Sequence, residues 1–281
     1  MRPREQQHAE IHERMKNITG AGGWDIYTTG SPVRALLKKE VYDGTAFVEV
    51  PLEAGTTGVA VMKWSFGQGS ERTASHCTEV QAAASGATIP AGFPLVGKET
   101  FQHDELLDAK FHRGMARTQA RAQELATTFN QRVASLLPDR PDLAINFTPC
   151  WIYEVQDERY DGGVAWILAE PFLDGKFTKW NNNAGKVMRD GPPECDASLP
   201  QVFSHFSWSV SDGEYLLCDL QGVWNADDGF TFTDPVMHRK ESRRRRRRRT
   251  DKGSPGMQSF FASHECTPLC QSLGLKLPHD K

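Results

Sequence analysis

From Trp24 to about Phe101, apolar and β-branched residues alternate with polar ones in short runs broken by glycine, as in Ala46–Pro51 and Gly58–Met62. A period of two over so few residues predicts antiparallel strands. The stretch Gly67–Gly92 is rich in Gly, Ser, Thr and Ala, a composition that predicts tight turns and a surface loop between strands. The period then changes. Leu106, Leu107, Phe111, Met115, Ala122, Leu125, Phe129, Val133 and Leu137 recur at three- and four-residue steps, which predicts one long helix, with Asp104 as N-cap and Pro138 and Pro141 ending it. Two strand-like runs follow, Pro149–Val155 and Val164–Ala169. An apolar helical stretch around Leu199–Trp208 leads into a further strand, Glu214–Asp219. Strands, one long helix, more strands and a mixed C-terminal half make an α+β arrangement, which leaves function open.

Composition narrows the class. With 281 residues, 38% of them hydrophobic and 25% charged, the chain is ordinary for a soluble globular protein with a sizeable core. It holds no apolar run long enough to span a membrane, and residues 1–20 are too polar for a secretory signal. These features predict an intracellular, cytoplasmic protein. The net charge of −3 hides an asymmetry: seven arginines stand together at Arg243–Arg249, and without them 26 basic residues face 36 acidic ones, a formal charge of −10. One local cationic run on an acidic body argues against a nucleic-acid-binding face. The run itself fits an acidic docking partner, a phosphate-binding patch, nuclear targeting or a solvated insertion. The six cysteines, read with no secretory signal, point to metal binding or burial and away from a disulfide framework.

Candidate chemistry lies mostly in the C-terminal half. In Cys218-Asp-Leu-Gln-Gly-Val223 a strand delivers an acid and an amide two residues apart, hence on one side of the chain, and a glycine follows. A second acid, Asp234, sits in Thr233-Asp-Pro235. Hard oxygen ligands of this kind suit Mg²⁺, although the spacing alone also fits a strand end followed by an Asp-Pro turn. His264-x-Cys266-x₃-Cys270 places two thiols about a helical turn apart with an imidazole close by, a signal for a metal.

Asp219-Leu-Gln-Gly-Val223 followed by Thr233-Asp-Pro235 resembles the signature of the alpha-kinase family of atypical Ser/Thr protein kinases. So do Ala169–Gly185, Phe203-Ser-His-Phe206 and His264–Cys270, which stand in the family's order. The resemblance runs from about Trp24 to Leu275. It implies a two-lobed atypical protein-kinase-like fold, with a mainly β N-lobe over about 21–168, a mixed C-lobe over about 171–276, an Arg-rich insertion at 239–252 and a tail at 277–281. It also implies a structural zinc site and ATP-dependent phosphorylation of Ser/Thr on a protein substrate. A pseudokinase or zinc-stabilised interaction module on the same fold is the alternative.

Roles follow from the same resemblance. Asp219 and Gln221 are implied as Mg²⁺ ligands, and Asp234 as the second acid near the metal or the incoming hydroxyl. Phe66-Gly-Gln-Gly-Ser-Glu-Arg72 fits the family's Phe-x-x-Gly-x-x-Arg turn, in which Gly67 and Gly69 would admit phosphate oxygens and Arg72 would steady the turn. Lys98, in Val96-Gly97-Lys98, stands after that turn where the family has Val-Ala-Lys. Lys63, which resembles the conventional kinase Val-Ala-Ile-Lys lysine, stands before it. Lys98 is therefore the expected phosphate-binding lysine, and the departure at Gly97 predicts a looser strand. Glu170 is expected at the hinge beside the adenine, and Lys179, Asn182, Asn183 and Gly185 in a loop facing nucleotide and substrate. For zinc the resemblance adds His205 to His264, Cys266 and Cys270, with His238 as the other candidate. Lys252–Gly256 resembles a reduced form of the family's Gly-rich loop.

Overall fold

Where alternation is strongest, the chain folds as a closed sheet. The computed structural model describes residues 32–101, 108–159, 162–188, 191–240 and 250–278. Asp104, Leu106, Leu107, the polar N-terminal residues 1–20 and Arg243–Arg249 therefore lie outside the described residues. Two compact units interleave along the chain: 1–116 with 149–172, and 117–148 with 173–281.

The first unit is built from β1 (Val33–Tyr42), β2 (Phe47–Glu49), β3 (Thr56–Val61), β4 (Gly67–Gln68), β5 (Arg72–Ala82), β6 (Thr88–Thr100), β8 (Trp151–Gln156) and β9 (Val164–Pro171). They hydrogen-bond in the order β2-β1-β3-β5-β6-β9-β8, and β8 also pairs with β1, so six antiparallel strands close into a ring that β2 and β4 flank. Closure removes the open edges of the sheet. Inside lie Val59, Val61, Cys77, Leu95, Tyr153, Val155, Ala165, Ile167 and Ala169. The stretch Gly67–Gly92, expected as turns and a loop, instead supplies β4, β5 and the start of β6, the most extensively paired strands of the ring. Small and hydroxyl side chains are accommodated there because pairing with neighbours on both sides fixes the strands, so composition understates their order.

Helix α1 (Ala109–Leu136) gives its first eight residues to the first unit and the remainder to the second. In the first unit Arg113 forks onto the buried Glu40 of β1, with contacts of 2.7–2.9 Å. In the second, Ala122, Leu125, Ala126, Phe129 and Val133 of α1 join the largest core. That core also takes Phe147 from β7 (Ile145–Phe147), Trp180, which follows β10 (Thr178–Lys179), and Phe203 and Phe206 from α2 (Leu199–Val210). Phe230 and Phe232 of β13 (Gly229–Thr233) complete it. A four-stranded sheet runs β10-β12-β13-β7, where β12 is Gln221–Asn225, and β11 (Tyr215–Cys218) pairs with β14 (Val236–Arg239). Two short helices follow, α3 (Gly253–Phe261) and α4 (Pro268–Ser272). The segment read as a reduced Gly-rich loop is therefore the entry to a helix. Among the described residues no helix is long and apolar enough to cross a membrane.

Gly97 is not a loose point in its strand. A Cβ there would lie 3.1 Å from Cys77 Sγ and 3.3 Å from Ile167 Cγ2, because the Cys77 thiol fills the space a methyl group would need. Gly97→Ala should therefore destabilise the protein by about 1–3 kcal/mol in urea unfolding, as overpacking does. Adding Cys77→Ala should make that second methyl much less costly. Strict additivity of the two substitutions would refute the exchange of volume between these positions.

Candidate active site

Strand register places the first group of residues. His76 lies opposite Val96, which lies opposite Glu170; one row along, Ala74, Lys98 and Leu168 stand opposite each other. Residues two apart share a face, so Lys98 and Glu170 project from the side of the sheet that faces away from the ring's interior. Their side chains form a salt bridge, with Lys98 5% and Glu170 2% exposed. Each charge compensates the other in a place where either alone would be costly. Glu170, expected beside the adenine, thus holds the lysine. Lys63 is exposed beyond the end of β3, its Nζ 5.3 Å from the Trp64 ring centroid, and is not part of that salt bridge.

The glycine turn lies on the same sheet. Gly67 pairs with Ala74, the neighbour of Lys98, and Gly69 N–H donates to the Arg72 carbonyl at 2.8 Å, closing a tight turn. Arg72 stands opposite Thr100 at the start of β5. Beside the turn His76 lies between Phe66 and Phe172, with ring centroids 4.6 and 5.1 Å away, and burial lowers its pKa.

The second group gathers on β10, β12 and the turns before β12 and β14. Lys179 lies opposite Gln221, and its Nζ is 2.7 Å from Asp219 Oδ1. Asp219 has φ 60° and Asp234 φ 54°, left-handed conformations that a residue other than glycine adopts only when its surroundings hold it there. Two residues that no motif indicated supply that hold. Asn181, fully buried, accepts the Leu220 N–H on its Oδ1 at 2.9 Å and donates to Ser204 Oγ at 3.1 Å, fixing the turn at Asp219. Gln119 of α1 accepts the Asp234 N–H on its Oε1 at 3.1 Å and donates its amide to the Thr148 carbonyl and hydroxyl, both at 2.8 Å. Neither stands out in the chain: Gln119 lies among polar helix positions, and Asn181 opens a run of three asparagines.

Residues 182–185 form a self-bonded turn. Asn182 Oδ1 accepts the Ala184 and Lys186 amides at 2.9 and 3.1 Å, and Gly185 N–H donates to the Asn182 carbonyl at 2.8 Å. Gly185 has φ 76°, and a Cβ there would come within 2.6 Å of Phe260 on α3, so only glycine fits. The Asn183 carbonyl accepts from His238 Nε2 at 2.7 Å.

A third group lies apart from these. The ligand atoms of His205 on α2, His264 and Cys266 after α3, and Cys270 on α4 all fall within 4.8 Å of one another. His205 Nδ1 is 3.1 Å from His264 Nε2 and 3.7 Å from Cys266 Sγ, and His264 Nε2 is 3.7 and 3.8 Å from the two sulfurs. His205 Nε2 donates to the Lys276 carbonyl at 2.8 Å, so its Nδ1 carries the free lone pair turned toward the group. Burial, and then the neighbouring His205, lowers the His264 pKa to about 4. His238, the other candidate, lies outside this group.

The model of the alpha-kinase family matches residues 67–270. The chain belongs to the alpha-kinase family. Among curated alpha-kinases it is 31% identical over 218 residues to myosin heavy chain kinase C of Dictyostelium discoideum, covering 78% of this chain and 24% of that one. To eukaryotic elongation factor 2 kinase of Rattus norvegicus it is 32% identical over 136 residues, covering 48% of this chain and 17% of the relative. The chain thus spans a quarter or less of the length of these relatives. Its fold is that of the alpha-kinase domain of myosin heavy chain kinase A: the AMP complex of that domain superposes with a TM-score of 0.67 at 20% identity, over 87% of this chain and all of the other. The AMP-PNP complex gives 0.67 at 21%, over 88% and 97%.

Proposed function

We propose that this chain is an ATP-dependent protein kinase that transfers the γ-phosphoryl group of ATP to serine or threonine hydroxyls of a protein substrate. The observation that carries this reading is Asp219, held at positive φ two residues before Gln221 and against Lys179, in a chain of this family. Phosphoryl transfer asks for alignment and charge stabilisation more than for covalent chemistry, and fixed acids and cations are what it uses. In the reaction the substrate hydroxyl oxygen bonds to the γ-phosphorus, the bond from that phosphorus to the β,γ-bridging oxygen breaks, and ADP leaves with the bond's electron pair. The hydroxyl proton passes to a carboxylate.

Roles are assigned on that basis. Lys98, steadied by Glu170, presents its ammonium group to the nucleotide phosphates. Gly69 and Arg72 shape the turn over the phosphates, and Lys179, Asn182, Asn183 and Gly185 orient nucleotide and substrate. Asp219 and Gln221 would hold Mg²⁺, which supplies charge neutralisation at the phosphate oxygens. Asp234 is the second acid, facing the metal or the incoming hydroxyl. The pseudokinase alternative drew on a loosened strand at Gly97 and on the arginine run; the packing of Cys77 against that glycine argues against the first.

We further infer that His205, His264, Cys266 and Cys270 hold one structural zinc. A tetrahedral zinc bonded at about 2.0–2.3 Å sets its ligands roughly 3.3–3.8 Å apart; four of the separations here are 3.1–3.8 Å, and all four atoms lie within 4.8 Å of one another. Four protein ligands leave no open position, so zinc here would tie the C-terminal segment to α2.

Two experiments test these readings. With Mg·ATP and a generic basic protein substrate, Asp219→Ala should abolish nearly all transfer, and Lys98→Met should cost on the order of 10²-fold or more. Lys63→Met should cost little; the reverse ranking of the lysines would overturn the assignment. Elemental analysis of protein purified without added metal should find about one zinc per chain, as a closed site retains its ion. Cys270→Ser should lower that content and yield heat-labile protein; a stable, zinc-free native protein would refute the site.

A further inference from the structure

We infer that His238 is a positioning residue for the nucleotide-facing turn at Asn182–Gly185, a role that deepens the kinase reading and rests on it. His238 is fully buried on β14 and its ring nitrogens have unambiguous partners. Nδ1 receives the Lys252 backbone N–H at 3.1 Å, and an amide can only donate, so Nδ1 is the unprotonated nitrogen. Nε2 lies 2.7 Å from the Asn183 carbonyl, which can only accept, so Nε2 carries the proton. Cys218 Sγ, on the residue before Asp219, is 3.3 Å from the same nitrogen. Asp251 lies 3.9 Å from Nδ1 and accepts the Arg239 and Gly253 amides at 3.2 and 2.8 Å. The remaining side of the ring is covered by Gly256, where a Cβ would come within 2.5 Å of Cδ2.

One neutral ring thus joins three backbone segments: the turn at Asn183, the end of β11 at Cys218, and the entry to α3 at Lys252. A histidine that only filled space would need no directed donor. Here the single ring proton points at the carbonyl of the turn that the kinase reading assigns to nucleotide, and the other nitrogen anchors the ring to a main-chain amide. The ring therefore sets where residues 182–185 stand relative to Asp219 on the neighbouring strand end.

The test uses the full chain, with steady-state KM for ATP, kcat, and calorimetric affinity for Mg·ADP. His238→Leu fills the space and donates nothing; it should weaken both KM and Mg·ADP affinity about tenfold, the loss of one buried hydrogen bond, with a smaller change in kcat. His238→Gln, whose amide reaches the Nε2 position, should recover affinity to within about threefold of wild type, since its donor is restored. A folded Leu variant with wild-type affinities, or a Gln variant no tighter than Leu, overturns the proposal. If the Leu variant does not fold, His238→Gln is compared with His238→Asn, which reaches only the Nδ1 position: tighter Mg·ADP binding by Gln supports the role and equal binding refutes it. Wild-type protein that binds no Mg·ADP would sink the kinase reading itself. Wild-type activity with indifferent variants sinks only the role of His238.

Discussion

Two aspartates held in the left-handed region of backbone space govern how the second unit is put together. Asp219 and Asp234 each sit where a side chain costs on the order of 1 kcal/mol or more, and neither position was given to glycine. Each position carries a carboxylate instead, so the surroundings must supply the constraint. Asn181 holds the turn at Asp219 from one side and Lys179 meets the carboxylate from the other. At Asp234 an amide from a helix more than a hundred residues earlier does the same work. Each support is buried or half-buried and each is placed by the phenylalanine-rich core beneath it, so packing there and geometry above are one problem.

The first unit solves a different one. A lysine kept almost entirely out of water stays charged only beside an acid, and the Glu170 carboxylate is there because β6 and β9 pair in a register that sets the two side chains diagonally on one face. The other face of the same strands is interior, and it is there that Gly97 and Cys77 exchange volume. Neighbouring residues of β6 thus face opposite ways, Lys98 outward beside Glu170 and Gly97 inward against Cys77.

Much of this was legible in the chain. The alternation before residue 101 and the three-to-four periodicity of α1 belong to elements that are present, and Lys179, singled out from a separate motif, stands beside Asp219 and Gln221. The four histidine and cysteine side chains converge although one comes about sixty residues before the others. What could not be read were single polar residues whose meaning depends on distant partners. Gln119 looks like one more surface position on a helix, Asn181 like the least notable member of an asparagine run, and His238 like a spare ligand. The strands β5 and β6 were hidden for another reason: small and hydroxylated residues are turn formers in isolation and become strand residues once both neighbours are in place. The single helix shared by both units also defeats any division of the chain at one point, since residues 117–148 group with the later sequence.

The hairpin of β12 and β13 has a consequence for how such a chain can vary. Gln221 pairs with Thr233 at its base and Asn225 with Gly229 at its tip, where Asn225 Oδ1 accepts the amides of Asp227 and Asp228 at 3.0 and 2.8 Å. The two acids flank the base, so their spatial relation is set by ladder pairing and is indifferent to the number of residues between them. Rungs could be added or removed in pairs at the tip without moving either carboxylate, because an even change preserves which face each side chain occupies. That makes the tip a permissive point for drift in length, and an address at which a tag could be grafted while the residues below keep their places.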